Sequence, residues 1–511
     1  MKIEVRPQPL TIDHRAIVPM EGNIFHEEQI LGYDRTWEEY VPTGYDGKTA
    51  VPLLVDVHGG SSHNATYCRP WSHIAERETF IVLYPHSIVN GVTWNVFRDL
   101  GPEHGMPDDV AYIDYLIEKM FSTYNIDRTR VYIHGQSMGD MMTTTYLRER
   151  SYLFAAAAPF SGPSGPMHHM HDDGSLILPA AKCPVTRTHG SLDMSVPLGL
   201  QKPPKPEAFI NPKKRFTRED QRFEGGMPRP GQTVTEEQRQ QKMELHQLTN
   251  LRPWWEKNEV DLTKPEISLR GKYACVNFHG EGAYDVNFLT VEGGEHNPAH
   301  EVYDFLWRYF FSAYRRVDGE VIRRTPDVRF VPDQGAVIAA AGSESAFVNN
   351  VKVPLGGKAF EQDGAMYVPA AFLPKAFPGQ LSFEVIYEGE DGQCGLIGSP
   401  KGQLQIASGS KSTLLDGYFH SMNRVLLCDG ELYVSLGEVA ELLLDKKVSQ
   451  GRDIIYVADT CGPIGYDFAY LIRWLLDVQQ VPTNAELLAR EKEIVAGGNY
   501  RAAADFPEKK E

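Results

Sequence analysis

The stretch Arg130-Val131-Tyr132-Ile133-His134-Gly135-Gln136-Ser137-Met138-Gly139 decides how this 511-residue chain is read. Its first five residues are rich in β-branched and aromatic side chains, which suit a strand. Gly-Gln-Ser-Met-Gly then matches the G-x-S-x-G pattern of a nucleophile elbow. In that motif a strand delivers a serine to a turn so tight that only small neighbours fit. Met141 to Arg150 reads as the helix that should follow. Strand, turn and helix in this order make Ser137 a candidate nucleophile for acyl transfer.

The flanking sequence extends the pattern. Val51 to Val57 is a continuous apolar run suited to a buried parallel strand, and Phe80 to Tyr84 is a second. Asp109 to Tyr124 carries apolar residues at helical spacing. Phe154 to Phe160 and Val185 to His189 read as further strands, Ala274 to Phe278 and Asn287 to Val291 as a late pair, and Ala299 to Tyr314 as an amphipathic helix. The expected fold class is α/β, a mostly parallel sheet with helices on both faces, over residues 1–318. Residues 198–252 interrupt it with Pro, Lys, Arg, Glu and Gln, and include a polar helix at Thr235 to Leu248. They are expected to be a cap-like insertion over the site.

From about 319 to 483 the texture becomes β-rich α+β, and a charged tail follows at 484–511. Asp363-Gly364-Ala365-Met366-Tyr367-Val368 recurs 66 residues later as Asp429-Gly430-Glu431-Leu432-Tyr433-Val434. Each copy reads as a hairpin turn entering a strand, with a short helix after it.

A serine needs a base, and the base an orienting acid. Asp193 follows the strand at 185–189 in His189-Gly190-Ser191-Leu192-Asp193, which puts its carboxylate at the C-terminal edge of the sheet. His296 lies in Gly293-Gly294-Glu295-His296-Asn297-Pro298, between a strand and a helix. The expected catalytic set is Ser137, Asp193 and His296. Two backbone amides should form an oxyanion hole: Met138, and Gly60 in His58-Gly59-Gly60-Ser61-Ser62, with Ser61 as the alternative donor and a substrate neighbour. Trp94 and Phe160, with Tyr67, Trp71 and Phe97, fall near the active edge. They read either as an aromatic acyl pocket or as core. Met167-His168-His169-Met170-His171-Asp172-Asp173 is read as a polar loop in preference to a metal site. Asp108 and Asp109 read as helix caps, and Trp254-Trp255 as an anchor for the insertion.

The net charge of −17 argues against nucleic acid and anionic membrane as partners, and no run of 18 apolar residues suggests a spanning helix. The first residues, Met1-Lys2-Ile3-Glu4-Val5-Arg6-Pro7, lack the apolar core of a secretory signal. The expectation is a cytoplasmic protein, or a secreted one whose chain has been trimmed. Six cysteines lie scattered without metal-ligand spacing. No cofactor or metal is expected, and self-association into a homo-oligomer is left open.

Together, His58-Gly59-Gly60, Asp108-Asp109-Val110, the elbow, the His-Gly-x-x-Asp-x-x-Val-Pro run at 189–197, Trp255-Glu256-Lys257-Asn258 and Gly-Gly-x-His-x-Pro at 293–298 resemble one group. It is the feruloyl esterase and polyhydroxybutyrate depolymerase-like esterases of the α/β-hydrolase fold, matched over about residues 30 to 315. Asp140 departs from the group, which usually has a second glycine after the elbow, and Glu295 stands where glycine is commoner. The resemblance implies a serine carboxylic-ester hydrolase with Ser137, Asp193 and His296 as triad. Its substrate would be an aromatic, hydroxycinnamoyl-type ester or another small carboxylic ester, either a small molecule or an oligomer. A polyester depolymerase or a serine peptidase would use the same residues, and a binding protein with a decayed hydrolase domain is the reading of another class. The hairpin repeat resembles the stalk-like N-terminal modules of copper amine oxidases, which carry no metal site themselves.

Overall fold

The computed structural model describes residues 20–59, 69–87, 94–96, 107–193, 234–330, 335–390 and 392–496. Ten strands form the main sheet: β1 (Ile24–Ile30), β2 (Tyr33–Tyr40), β3 (Val51–Val57), β4 (Ile81–Pro85), β5 (Ile126–Gln136), β6 (Ala156–Phe160), β7 (Val185–Gly190), β8 (Glu266–Arg270), β9 (Tyr273–Phe278) and β10 (Val286–Val291). Their order is β1-β2-β4-β3-β5-β6-β7-β10-β9-β8. The central strands β4, β3, β5, β6, β7 and β10 run parallel, and antiparallel pairs close both ends. β3 is buried along its whole length, as its apolar residues require, with Asp56 paired to His134 at 2.6 Å.

The helices α1 (Arg69–Glu78), α2 (Asp109–Thr123) and α3 (Met138–Arg150) cover the sheet together with a later helix, His300–Tyr309. α2 and α3 bury Val110, Ile113, Leu116 and Met141 in one apolar cluster. α1 and His300–Tyr309 bury Trp71, Ile74, Val302 and Leu306 in a second. The helix expected to reach Tyr314 stops at Tyr309, because Phe310 leaves helical geometry (φ −130°, ψ −70°) and Tyr314 opens an antiparallel ribbon with Glu320–Arg323. This ribbon straddles residue 319 and stays bound to the main sheet: Arg316 donates to the carbonyls of Phe154 and Lys182 at 2.8 and 2.7 Å.

The segment expected as a cap divides in two. Residues 194–233 lie outside the described residues. Residues 236–257 form one continuous helix with a π-helical turn at Met243–Leu248. The polar helix expected at Thr235 to Leu248 lies within it, and its π turn is buried throughout. Two of the helix's polar side chains pair inside the protein: Glu244 accepts from Tyr470 at 2.8 Å, and Asn250 bonds His169 at 2.9 Å. Trp255 stacks on Trp474 at 5.5 Å and meets Phe278 edge-on at 5.2 Å.

Beyond residue 335 three antiparallel sheets follow. One pairs Val337–Ala340 with Ile454–Ala458, joining the start and end of the region. A second is built from the repeat. The hairpins Phe360–Gln362/Ala365–Pro369 and Leu426–Cys428/Glu431–Ser435 turn at Asp363-Gly364 and Asp429-Gly430, all four residues at positive φ. The hairpins join through Tyr367↔Ser435, Val368↔Val434 and Pro369↔Tyr433. The third sheet is a meander over 382–421. The helix Tyr466–Leu475 then packs on β9, and the cluster that fills the main sheet runs on into Ile338, Phe347, Tyr456, Phe468 and Ile472. A last helix, Asn484–Ala496, docks on the short helix Pro166–His169, where Glu491 accepts from Met167 N at 2.6 Å.

Candidate active site

β5 ends at Gln136 and α3 begins at Met138, so Ser137 alone makes the turn between them. Its φ of 59° and ψ of −120° are costly for a residue with a side chain, and the surroundings must hold it there. Ser137 N donates to Phe160 O at 2.9 Å. A Cβ on Gly135 would come within 2.3 Å of the Gly139 carbonyl, and one on Gly139 within 1.9 Å of the Val57 carbonyl. Close approach of backbones is therefore what the two motif glycines supply.

His296 Nε2 lies 2.9 Å from Ser137 Oγ, and His296 Nδ1 lies 3.0 Å from Asp193 Oδ2. The three side chains come from the ends of β5, β7 and β10. The Asp193 side chain is 3% exposed and that of His296 19%, so the acid is shielded while the imidazole keeps an open side. A carboxylate accepts only. Bonding at Nδ1 therefore puts the ring proton there and leaves Nε2 to accept from the serine hydroxyl.

The two partner loops are bonded to each other. Leu192 N donates to Gly294 O at 2.9 Å, and Gly293 N to Ser191 Oγ at 2.9 Å. Gln136, beside the serine, donates to His296 O at 3.1 Å. Met138 is the first residue of α3, so its amide has no acceptor within the helix. Gly60 and Ser61, the other oxyanion candidates, lie outside the described residues, as do Tyr67 and Phe97. The turn before them is anchored at His58: Nδ1 donates to Gly59 O at 2.7 Å, and Nε2 accepts from Ser87 N at 3.0 Å.

Trp94 and Phe160 are each 1% exposed. Trp94 donates its indole N–H to His58 O at 2.9 Å, and Phe160 packs in the core beside His134. Of the two sequence readings for them, core packing is what the structure displays. Asp108 caps α2 by accepting from Ala111 N at 3.0 Å. Asp109 is not a cap: it is buried against Arg35 at 2.7 Å. The segment 167–173, read as a polar loop, starts as the end of the short helix Pro166–His169: burial pushes the His168 and His169 imidazoles well below their ordinary range, and Asp172 pairs with Lys492 at 2.9 Å.

Four supporting residues went unread in the sequence: Gln136, Arg187, Lys242 and Asp467. Asp140, the departure after the elbow, forms a bidentate pair with Arg187 at 2.7 and 2.9 Å and accepts from Gly162 N at 2.8 Å. A charge in the middle of the buried strand Val185–Gly190 was the available signal. Lys242 donates to the Asp193 carbonyl. Glu292, just after β10, is raised to about 7 by burial and by the Asp467 charge, against the pull of Ser191 and the Gly465 amide.

Strand order, elbow and the Ser137–His296–Asp193 chain of contacts define an α/β-hydrolase fold. No family model matches the chain. It is 32% identical over 127 residues to a probable acetylxylan esterase A of Aspergillus fumigatus, which covers 25% of this chain and 34% of that protein. A bifunctional acetylxylan esterase/xylanase of Neocallimastix patriciarum is 30% identical over 169 residues, 30% of this chain and 23% of its own length. The chain thus spans about a third or less of these two relatives. Among solved structures, an acetyl xylan esterase from Aspergillus awamori overlays with a TM-score of 0.37 at 16% identity, covering 56% of this chain and 98% of that one. The poly(3-hydroxybutyrate) depolymerase LpqC from Bordetella parapertussis overlays with a TM-score of 0.36 at 15% identity, over 56% and 90%.

Proposed function

We propose that this chain is a serine carboxylic-ester hydrolase working through an acyl-enzyme. One observation carries the reading: Ser137 sits on a strained elbow within 2.9 Å of His296 Nε2, whose other nitrogen is 3.0 Å from a shielded carboxylate. His296 takes the Ser137 proton as Oγ attacks the ester carbonyl, and Asp193 holds the ring and supports the imidazolium that forms. The Met138 amide, together with Gly60, stabilises the oxyanion. The alkoxide leaves with the proton from His296, and water repeats the sequence to release the acid.

For the substrate we infer a small carboxylic ester. The curated relatives are named for acetylxylan, which favours an acetyl group on a sugar hydroxyl. Burial of Trp94 and Phe160 removes the support those two residues gave to an aromatic acyl pocket. We read the C-terminal hairpin repeat as a supporting module of the stalk-like kind rather than a second site.

Ser137→Ala should abolish turnover of an activated aryl acetate and labelling by a fluorophosphonate, with the far-UV spectrum unchanged. Turnover retained by that variant overturns the assignment. Rates on acetylated xylan, methyl ferulate, a hydroxybutyrate oligomer and a peptide anilide rank the substrate classes.

A further inference from the structure

The carboxylate of Asp467 sits in the first turn of the Tyr466–Leu475 helix, 278 residues from the strand it touches. Its Oδ2 lies 2.6 Å from His189 Nε2 on β7 and 3.8 Å from Lys242 Nζ. The side chains of His189, Asp467 and Lys242 are 2%, 6% and 4% exposed, so the three form one dry cluster. Burial lowers the His189 imidazole, which therefore donates Nε2–H as a neutral ring. Burial also works to raise the Asp467 carboxyl, but Lys242 and His189 outweigh it and hold it below its ordinary value. The Lys242 ammonium is thus the counter-charge of Asp467, and it donates to the backbone carbonyl of Asp193.

The same helix end reaches the other partner loop. Gly465 lies directly against Glu292: a Cβ on Gly465 would come within 2.1 Å of the Glu292 carboxylate. Glu292 precedes the Gly293-Gly294 turn that leads to His296 and is bonded to the Asp193 loop through Ser191. One helix from the far end of the chain therefore braces both loops that bear on Ser137.

We propose that Asp467 is a positioning residue of the hydrolase site: through Lys242 and His189 it fixes the loop that aims Asp193 at His296. The C-terminal region thereby completes the site. This rests on the ester-hydrolase reading above. Without the Asp467 charge, Lys242 loses its counter-ion, and its hold on the Asp193 carbonyl is no longer directed. The Asp193–His296 contact then loosens while the ester pocket stays as it was. Loss of this kind falls on kcat more than on KM.

The test uses the full chain and aryl acetate kinetics, with fluorophosphonate labelling of Ser137 and the unfolding midpoint measured in parallel. Asp467→Asn and Lys242→Met should each lower kcat at least about tenfold with KM within about threefold, and the double variant should be no worse than the worse single. Tyr470→Phe, on the same helix and bonded to Glu244, is the packing control: it should lower the unfolding midpoint and leave kcat within about twofold. Asp467→Asn with kcat within twofold of the parent overturns the inference, as does an equal fall of kcat in Tyr470→Phe. If the parent neither turns over esters nor labels, the ester-hydrolase reading fails instead.

Discussion

The Asp140–Arg187 pair offers the sharpest test of how the elbow is held. Both side chains are nearly sealed from solvent, 0% and 3% exposed, and they share two hydrogen bonds of 2.7 and 2.9 Å. Arg187→Met leaves the Asp140 carboxylate buried with only the Gly162 amide at 2.8 Å and the Thr144 hydroxyl at 3.3 Å. Removing one member of a buried ion pair costs about 3–5 kcal/mol, because the survivor keeps its desolvation penalty. Asp140→Leu should cost as much, since Arg187 Nε already lacks a partner, and it strips Gly162 N of its acceptor for about a further 1–3 kcal/mol. The double variant Asp140→Leu/Arg187→Met removes both charges and should lose only about 1–3 kcal/mol, chiefly through Gly162. Urea unfolding followed by tryptophan fluorescence gives the three values. Single losses below about 1 kcal/mol, or a double loss equal to the sum of the singles, would refute the reasoning.

Gly139→Ala must push apart α3 and the end of β3, since the new methyl would lie 1.9 Å from Val57 O. A displacement of that size should lower kcat/KM by about a hundredfold in an ester assay, and a loss under fivefold would deny the close approach its importance. Asp193→Asn should lower kcat by about 10⁴ with an unchanged far-UV spectrum, as loss of the orienting acid does in serine hydrolases. Glu292 has a folded value of about 7, raised above its ordinary 4.5, so its neutral form stabilises the fold fully below about pH 4.5, and that gain is lost as pH rises through 7. Glu292→Gln keeps the neutral form, so its advantage over the parent should grow by about 1–3 kcal/mol from pH 5 to pH 8, and a constant difference in unfolding midpoint would count against it. Trp255→Ala should cost about 3–5 kcal/mol, because its ring fills the space between Trp474 and Phe278. Urea unfolding checks it, and a loss under 1 kcal/mol would mean that this contact does not bind the C-terminal region to the sheet.

Much of the parallel sheet was legible because β3, β4 and β6 are buried on both faces and read as runs that are apolar but for Asp56. β1 and β2 were not, since Ile24–Ile30 and Tyr33–Tyr40 are full of charges. Arg35, Glu38 and Glu39 are buried there all the same, bonded to Asp109, to the Met20 and Asn23 donors and to Trp37. Ser137, Asp193 and His296 could be picked out because each follows a strand and glycine marks each turn. Their supports could not. Arg187 meets Asp140 across 47 residues and His189 meets Asp467 across 278, and no local periodicity encodes such pairs. The polar helix read at 235–248 is a related case: its Glu244 finds its partners Tyr470 and Arg490 on the last two helices, 226 and 246 residues on, which no local pattern encodes.

The paired hairpins have a consequence for assembly. In the contact between Ala365–Pro369 and Glu431–Ser435, Val368 faces its own counterpart Val434, and each flanking residue faces the counterpart of the residue on the other side. That is the geometry of an isologous interface, in which one surface patch meets a copy of itself. Here both copies lie on one chain, so a contact that would otherwise depend on protein concentration becomes intramolecular and each strand edge is sealed by its duplicate.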